Sequence, residues 1–120
     1  MKCLRIYASP DGESHLGDID IPQLPSQVFP GEPPLHVSQR HAVIGVQFVT
    51  VPLAVAEVSW HHTPARMFLF VLSGTMEFET SDGSIRQVSA GGAVLAEDTW
   101  GKGHISRHPD GPTLAFVPTV

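Results

Sequence analysis

Turn-forming residues divide this chain into short pieces, and their spacing is the feature that most limits how it can fold. The 120 residues include 11 glycines and 11 prolines, which recur between runs of β-branched, aromatic and alternating residues. Short runs at a spacing of roughly 8 to 12 residues are typical of β-sandwiches and β-barrels. No segment has both the apolar period and the length of a helix. The sequence therefore predicts an all-β fold without any helix longer than about two turns.

The most apolar run covers residues 67–72, and it ends at Ser73 and Gly74. A run of this length, rich in Phe and Val and bounded by Gly, predicts a central strand that is buried on both faces. Alternation at 75–80 and again at 85–88 predicts a hairpin that turns at Asp82 and Gly83. Further strands are predicted at 2–8 (an edge strand), 18–21, 42–51, 53–58, 93–97, 105–107 and 113–117.

Residues 22–34 contain five prolines among polar residues. Proline cannot donate to a sheet ladder, so this stretch is predicted to lie extended as an arm over its own barrel or a neighbouring subunit. We expect one domain over 1–120, with N-terminal strands and the arm at 1–41 and the barrel at 42–120. The arm and the edge strand leave backbone groups unpaired, which predicts a homodimer.

The amino-acid composition of the chain limits the kinds of molecule that it is expected to bind. A net charge of -5 with only seven scattered Lys and Arg residues disfavours binding to nucleic acids or to anionic membranes. The N-terminal residues form no apolar leader, and the single cysteine, Cys3, cannot form an internal disulfide. These features predict a cytoplasmic protein with a small-molecule ligand.

The turns follow one another in an order that resembles the cupin superfamily. The resemblance rests on residues 70–74, on Asp82-Gly83 and Gly91-Gly92, and on residues 101–104. Stretches 12–15 and 97–99 are also similar to a subgroup of uncharacterised bacterial cupins. The resemblance implies a jelly-roll β-barrel, also called a double-stranded β-helix, with a metal site at its mouth.

The cupin resemblance also implies which positions hold the metal. In the first family motif two histidines and a glutamate precede a glycine; Gly74 matches, but Met67 stands at the position of the glutamate. The histidine pair then falls either on His61 and Thr63 or on Trp60 and His62. In the second motif Gly101 and His104 match, whereas Thr99 replaces a proline, His108 replaces an asparagine and Gly92 lies one residue too early.

The candidate metal ligands are therefore His61, His62 and His104, for one divalent ion of iron, manganese, nickel or zinc. Tight binding needs about three protein ligands. Adjacent strand residues point to opposite faces, so His61 and His62 cannot both face the cavity of a regular strand. We expect His61 to point inward, because its neighbour on that face, Thr63, leaves room for a ligand.

Other side chains near these motifs are candidates for ligand binding. Arg66 can hold an anion through its planar guanidinium, or it can pair with Glu97 or Asp98. Those two acidic residues are also candidates for a general base. The remaining candidates, which could line an apolar pocket, are Trp60, Met67 and Trp100.

Two functions fit this pattern. In the first, the chain is a metal-dependent enzyme of the dioxygenase or isomerase type, in which Arg66 orients a small anionic substrate. In the second, the chain is a barrel that binds a small molecule without catalysis. The lost glutamate at Met67 weakens the first function, and the absence of a DNA-binding segment weakens a regulatory form of the second.

Overall fold

A computed structural model describes residues 1–120 as an all-β chain with no helix. None of its segments forms a helix that is long and apolar enough to cross a membrane. The all-β prediction is thus confirmed. The twelve strands are β1 (Lys2–Ala8), β2 (Ser14–Asp20), β3 (Leu24–Ser26), β4 (Leu35–Val37), β5 (Gln47–Thr50), β6 (Glu57–His61), β7 (Met67–Ser73), β8 (Thr75–Thr80), β9 (Ile85–Ser89), β10 (Ala93–Ala96), β11 (His104–Arg107) and β12 (Thr113–Pro118).

The strands form two large sheets and one small one. The six-stranded sheet has the order β2-β1-β10-β7-β12-β5, and the four-stranded sheet has the order β6-β11-β8-β9. No ladder joins these two sheets into a closed barrel, so the predicted barrel closure is not observed. Strand β7 lies inside the larger sheet between β10 and β12, as its apolar sequence predicts, although Leu72 near its end is 51% exposed.

Strand β1 was predicted to be an edge strand, and this prediction is wrong. It lies between β2, to which it is antiparallel, and β10, to which it is parallel. The reason is that β2 begins at Ser14, directly after the turn at residues 10–12, and pairs along all seven residues of β1. Strand β2 therefore forms the edge of the sheet.

The proline-rich arm is separate from both large sheets. Its strand β3 pairs only with β4, in a two-stranded sheet whose β3 residues are all exposed. The predicted strands at 42–51 and 53–58 are also corrected. Within 42–51 only Gln47–Thr50 forms a strand, which pairs with β12, and Val43 makes an isolated bridge to Thr119. The chain then forms a loop from Pro52 until β6 begins at Glu57. Proline lacks the N–H that a continuing ladder needs.

The core lies between the two large sheets. Its buried residues come from both sheets and alternate with outward-facing neighbours, as side chains do along a strand; they are Leu4, Ile6, Leu69, Val71, Met76, Phe78, Val88, Val94 and Leu114. A second cluster of Cys3, Phe68, Ala93 and Leu95 covers the outer face of the larger sheet. The middle of that sheet is thus buried on both faces.

Gly103 determines how closely the start of β11 approaches β6. Its φ angle is +72°, and a Cβ there would meet the backbone carbonyl of His61. We expect Gly103→Ala to lower the free energy of unfolding by about 3 kcal/mol, through left-handed strain and the backbone clash. Gly31→Ala is the matched control, because Gly31 has a φ of +81° but nothing within 4 Å of an added Cβ. Urea denaturation measures both; equal losses would contradict the role of the close approach.

Candidate functional site

A cavity of about 330 Å³ lies between the two large sheets. Most of its wall is apolar and comes from strands of both sheets together with residues of the loop after β5. The polar part of the wall is formed by Thr50, His61, Thr63, His104, Ser106 and His108. A cavity that is apolar with a few converging polar groups is the usual form of a small-molecule site.

Two neighbouring strands place His61 and His104 side by side. His104 of β11 lies opposite His61 of β6 in the antiparallel ladder, so both side chains leave the sheet on the same face. Their ring centroids are 4.4 Å apart and their planes are inclined by 58°. His61 thus points inward and shares the cavity with His104, which is the arrangement that the sequence analysis expects.

His62 lies outside the cavity, in contrast to its place among the candidate ligands. The side chain is exposed, and its Nε2 contacts the backbone carbonyl of Gly101. Its direction follows from its position next to His61, since adjacent residues of an extended chain point to opposite sides. His62 therefore holds the loop before β11 and takes no part in the cavity wall.

A buried carboxylate holds His104 in place. Asp98 follows β10 and is 0% exposed. Its Oδ2 lies 2.5 Å from Nδ1 of His104, and its Oδ1 accepts a hydrogen bond of 2.6 Å from Oγ1 of Thr63. Both carboxylate oxygens are thus paired within the protein. The arrangement orients the imidazole of His104 so that Nε2 is the ring nitrogen left for the cavity.

The other two cavity histidines are held through Nδ1 as well. Nδ1 of His61 lies 2.7 Å from the carbonyl of Ser59, and Nδ1 of His108 lies 2.8 Å from the carbonyl of Val55. A carbonyl only accepts, so we assign the proton of each neutral ring to Nδ1. Nε2 then carries a lone pair, and it has no hydrogen-bond partner in the protein.

His108 is the cavity residue that the sequence prediction did not include. It follows β11, is buried, and lies two residues after Ser106, which lies two residues after His104. Strict alternation along an extended chain places these three residues on one face. That period was the signal in the sequence that could have identified His108.

The cavity lowers the proton affinity of His61. Burial lowers the pKa of this imidazole, the hydrogen bond to the Ser59 carbonyl acts in the opposite direction, and the positive charge that His104 can carry lowers the pKa further. The net direction is downward from the ordinary value of 6.5. His61 is therefore neutral at pH 7 and presents a lone pair to the cavity.

The two tryptophans do not line the cavity. Trp60 is 47% exposed and Trp100 is 49% exposed. Trp60 precedes His61 on β6 and so faces away from the cavity, while Trp100 lies in the turn between β10 and β11. Met67 is the one candidate of this group that does line the cavity wall.

Arg66 also lies outside the cavity wall, which differs from its predicted place beside a bound anion. Its Nε is 2.7 Å from Glu97, and Arg5 approaches the other oxygen of the same carboxylate at 2.5 Å. Burial acts to raise the pKa of Glu97, but the hydrogen bonds from Arg66 and Arg5 lower it overall. The pairing with Glu97 was the alternative role given to Arg66, and the cavity wall itself contains no Lys or Arg.

The donor set does not fit a metal centre with three protein ligands. No group of three His, Cys, Asp or Glu side chains is placed to hold one ion. Met67 supplies a thioether at the position where the family resemblance implies a carboxylate, and the oxygens of Asp98 are already paired. The chemistry open to these residues is hydrogen bonding and proton exchange by imidazole.

Comparison with known proteins bears on the fold. No protein-family model and no curated protein matches the chain. Among solved structures, it is similar to the crystal structure of protein NMB1881 from Neisseria meningitidis, with a TM-score of 0.52 and 17% sequence identity. The similarity covers 68% of this chain and 84% of that one. At this identity the likeness shows a shared fold and nothing about activity.

Removal of the Asp98 carboxylate tests the buried pair. We expect Asp98→Ala to lower the free energy of unfolding by about 3 kcal/mol, because Thr63 and His104 lose their common acceptor inside the protein. The neighbouring Glu97→Ala is the control; its ion pairs lie nearer to solvent, and we expect a loss of about 1 kcal/mol. Denaturant unfolding measures both variants, and a smaller loss for Asp98→Ala would contradict the structural role.

The lowered pKa of His61 predicts a dependence of stability on pH. The unfolded chain protonates this residue near its ordinary pKa, whereas the folded protein resists protonation, so its contribution is complete above about pH 6.5 and is lost as the pH falls. The free energy of unfolding should therefore fall less between about pH 7 and about pH 5 in His61→Gln than in the unchanged protein. His36→Gln, in the exposed strand β4, is the control and should leave the slope unchanged. Identical slopes in all three proteins would contradict the prediction.

Proposed function

We propose that this chain is a cupin-like jelly-roll protein that binds a small, largely apolar molecule between its two large sheets. The observation that carries the proposal is the cavity of about 330 Å³, whose largely apolar wall includes three histidines. Its volume suits a ligand the size of a substituted six-membered ring. This is the second of the two functions that the sequence allows.

The strand order supports the jelly-roll part of the proposal. A jelly roll consists of eight strands in two facing sheets, built from two Greek keys. Here β5-β12-β7-β10 lie side by side in one sheet and β6-β11-β8-β9 in the other. All connections from β5 to β12 change sheet except the β8–β9 hairpin, as the jelly-roll path requires. Strands β1 and β2 then extend the first sheet beyond β10.

Acid–base catalysis is the second candidate function. The specific observation in its favour is the buried hydrogen-bond chain from Thr63 through Asp98 to His104. A carboxylate behind an imidazole fixes its tautomer and stabilises the imidazolium that forms when the ring takes a proton. His104 would then act as the general base through Nε2, and Asp98 would be its positioning residue. The metal-dependent dioxygenase or isomerase has less support, since three ion ligands do not converge.

We also infer a homodimer in the cytoplasm, as the sequence suggests. The support for the dimer is the arm together with β4, because β3 and β4 pair only with each other and apolar side chains of this segment face solvent. These exposed side chains are Leu24, Val28, Phe29 and Leu35. Apolar surface of this kind is usually covered by a partner.

A cavity-filling substitution tests the binding function. Val58 lines the cavity from β6, so Val58→Trp should place an indole in the space that the ligand would occupy. We expect the affinity for 4-fluorotoluene, followed by fluorine NMR, to fall at least about tenfold. Leu72→Trp, at an exposed position outside the cavity wall, is the matched control and should bind as the unchanged protein does. Equal affinities in both variants would contradict a ligand between the sheets.

A further inference from the structure

We infer that the ligand of this cavity is an uncharged compound with a phenol-type hydroxyl, which donates its hydrogen bond to Nε2 of His104. The inference rests on the proposed binding function and adds the chemical class of the ligand. It follows from three properties of the wall, which are its lack of Lys and Arg, the orientation of its imidazole rings and the hydrogen-bond chain behind one of them.

The lack of Lys and Arg in the wall disfavours an anionic ligand. None of the residues around the cavity is a Lys or Arg. The two nearest candidates, Arg5 and Arg66, both bind Glu97 and lie outside the wall. A carboxylate or phosphate in this cavity would lose its hydration without gaining a Lys or Arg partner, which is costly in an apolar environment. The small anionic substrate that the sequence suggested therefore does not fit.

The tautomers of the histidines determine which hydrogen-bonding group the ligand must carry. His61 and His108 use Nδ1 as the donor to a backbone carbonyl, and His104 uses it towards Asp98. In their neutral forms all three rings present an acceptor, and an acceptor needs a donor. The apolar side chains of the wall supply none, and the hydroxyl of Thr63 already donates to Asp98. Ser106 is a further hydroxyl in the wall, so the wall still offers fewer free donors than its three imidazole acceptors. A ligand with an O–H group matches this wall, whereas an ether or a ketone of the same shape leaves the nitrogens unpaired.

The buried carboxylate favours an acidic hydroxyl over an aliphatic one. A donor on Nε2 of His104 would extend the chain through the ring to Asp98, whose other oxygen is bonded to Thr63. Hydrogen bonds in such a chain polarise one another, so the strongest donor gains most. A phenol is a stronger donor than an alcohol, and its ring suits the apolar wall. His61, whose ring lies 4.4 Å from that of His104, offers a second acceptor beside the first.

A series of fluorinated probes tests this assignment on the unchanged protein. The probes are 4-fluorophenol, 4-fluoroanisole, 4-fluorobenzyl alcohol, 4-fluorobenzoate and 4-fluorotoluene, each titrated by fluorine NMR. We expect 4-fluorophenol to bind roughly tenfold more tightly than 4-fluoroanisole, which has the same ring but no donor. It should also bind more tightly than the benzyl alcohol and the benzoate.

Two variants test whether the preference for phenol over anisole depends on His104. His104→Phe keeps an aromatic ring but removes the acceptor, and it should reduce the preference for phenol over anisole to about twofold or less, while toluene still binds. His62→Phe is the matched control, because His62 lies outside the cavity, and its preference should equal that of the unchanged protein. If His104→Phe does not fold, the probe series on the unchanged protein still decides.

The remaining outcomes show whether the inference fails alone or together with the proposed binding function. If toluene binds but phenol and anisole bind equally well, the hydroxyl assignment is overturned and the binding function stands. If the benzoate binds most tightly, the assignment of an uncharged ligand is overturned. If the benzyl alcohol matches the phenol, the preference for an acidic hydroxyl is overturned. If no probe binds at millimolar concentration, the proposed function and the inference fail together.

Discussion

The carboxylate of Asp98 is the group on which the geometry of the site depends. It is completely buried, so it needs partners for both oxygens, and it finds them in Thr63 and His104. These partners belong to the segment after β6 and to the start of β11, while Asp98 itself follows β10. One charged group therefore ties three segments of the two large sheets together. Because a buried charge without partners is strongly destabilising, this arrangement is held tightly.

The backbone around β11 brings the remaining groups to the same place. Gly103 lets the chain pass directly against the carbonyl of His61, where a side chain would collide. From there, alternation along the extended chain turns His104, Ser106 and His108 towards the cavity. The cationic side chains Arg5 and Arg66 are meanwhile kept outside by Glu97. The fold thus places imidazole rings inside the cavity and keeps the arginines at its periphery.

Apolar runs and alternation within short segments of the sequence predicted the strands whose burial depends on the residues of the segment itself. The apolar run at 67–72 became the interior strand β7, and the alternation at 75–80 became β8. The approach of His61 to His104 was expected from the cupin resemblance, and the two residues are paired on neighbouring strands of one sheet. Predictions failed where the position or role of a residue depends on contacts with residues far away in the sequence. The position of β1 depends on pairing with β2 and β10, and the role of Asp98 depends on a histidine and a threonine that no sequence period connects to it.

The presence of Met67 at the position of a carboxylate affects both metal binding and the charge of the molecule that the cavity can hold. Met67 lies in the cavity wall, at the position where the cupin resemblance implies a metal-binding glutamate. Its thioether adds no charge to the wall. The only carboxylate near the histidines stands behind His104 and faces the protein. A cation in this cavity would lack the negative charge that usually accompanies it, and an anion would lack a positive one. An uncharged molecule needs neither a negative nor a positive partner in the wall. If it carries its own hydrogen-bond donor, it pairs an imidazole lone pair while the apolar wall excludes water.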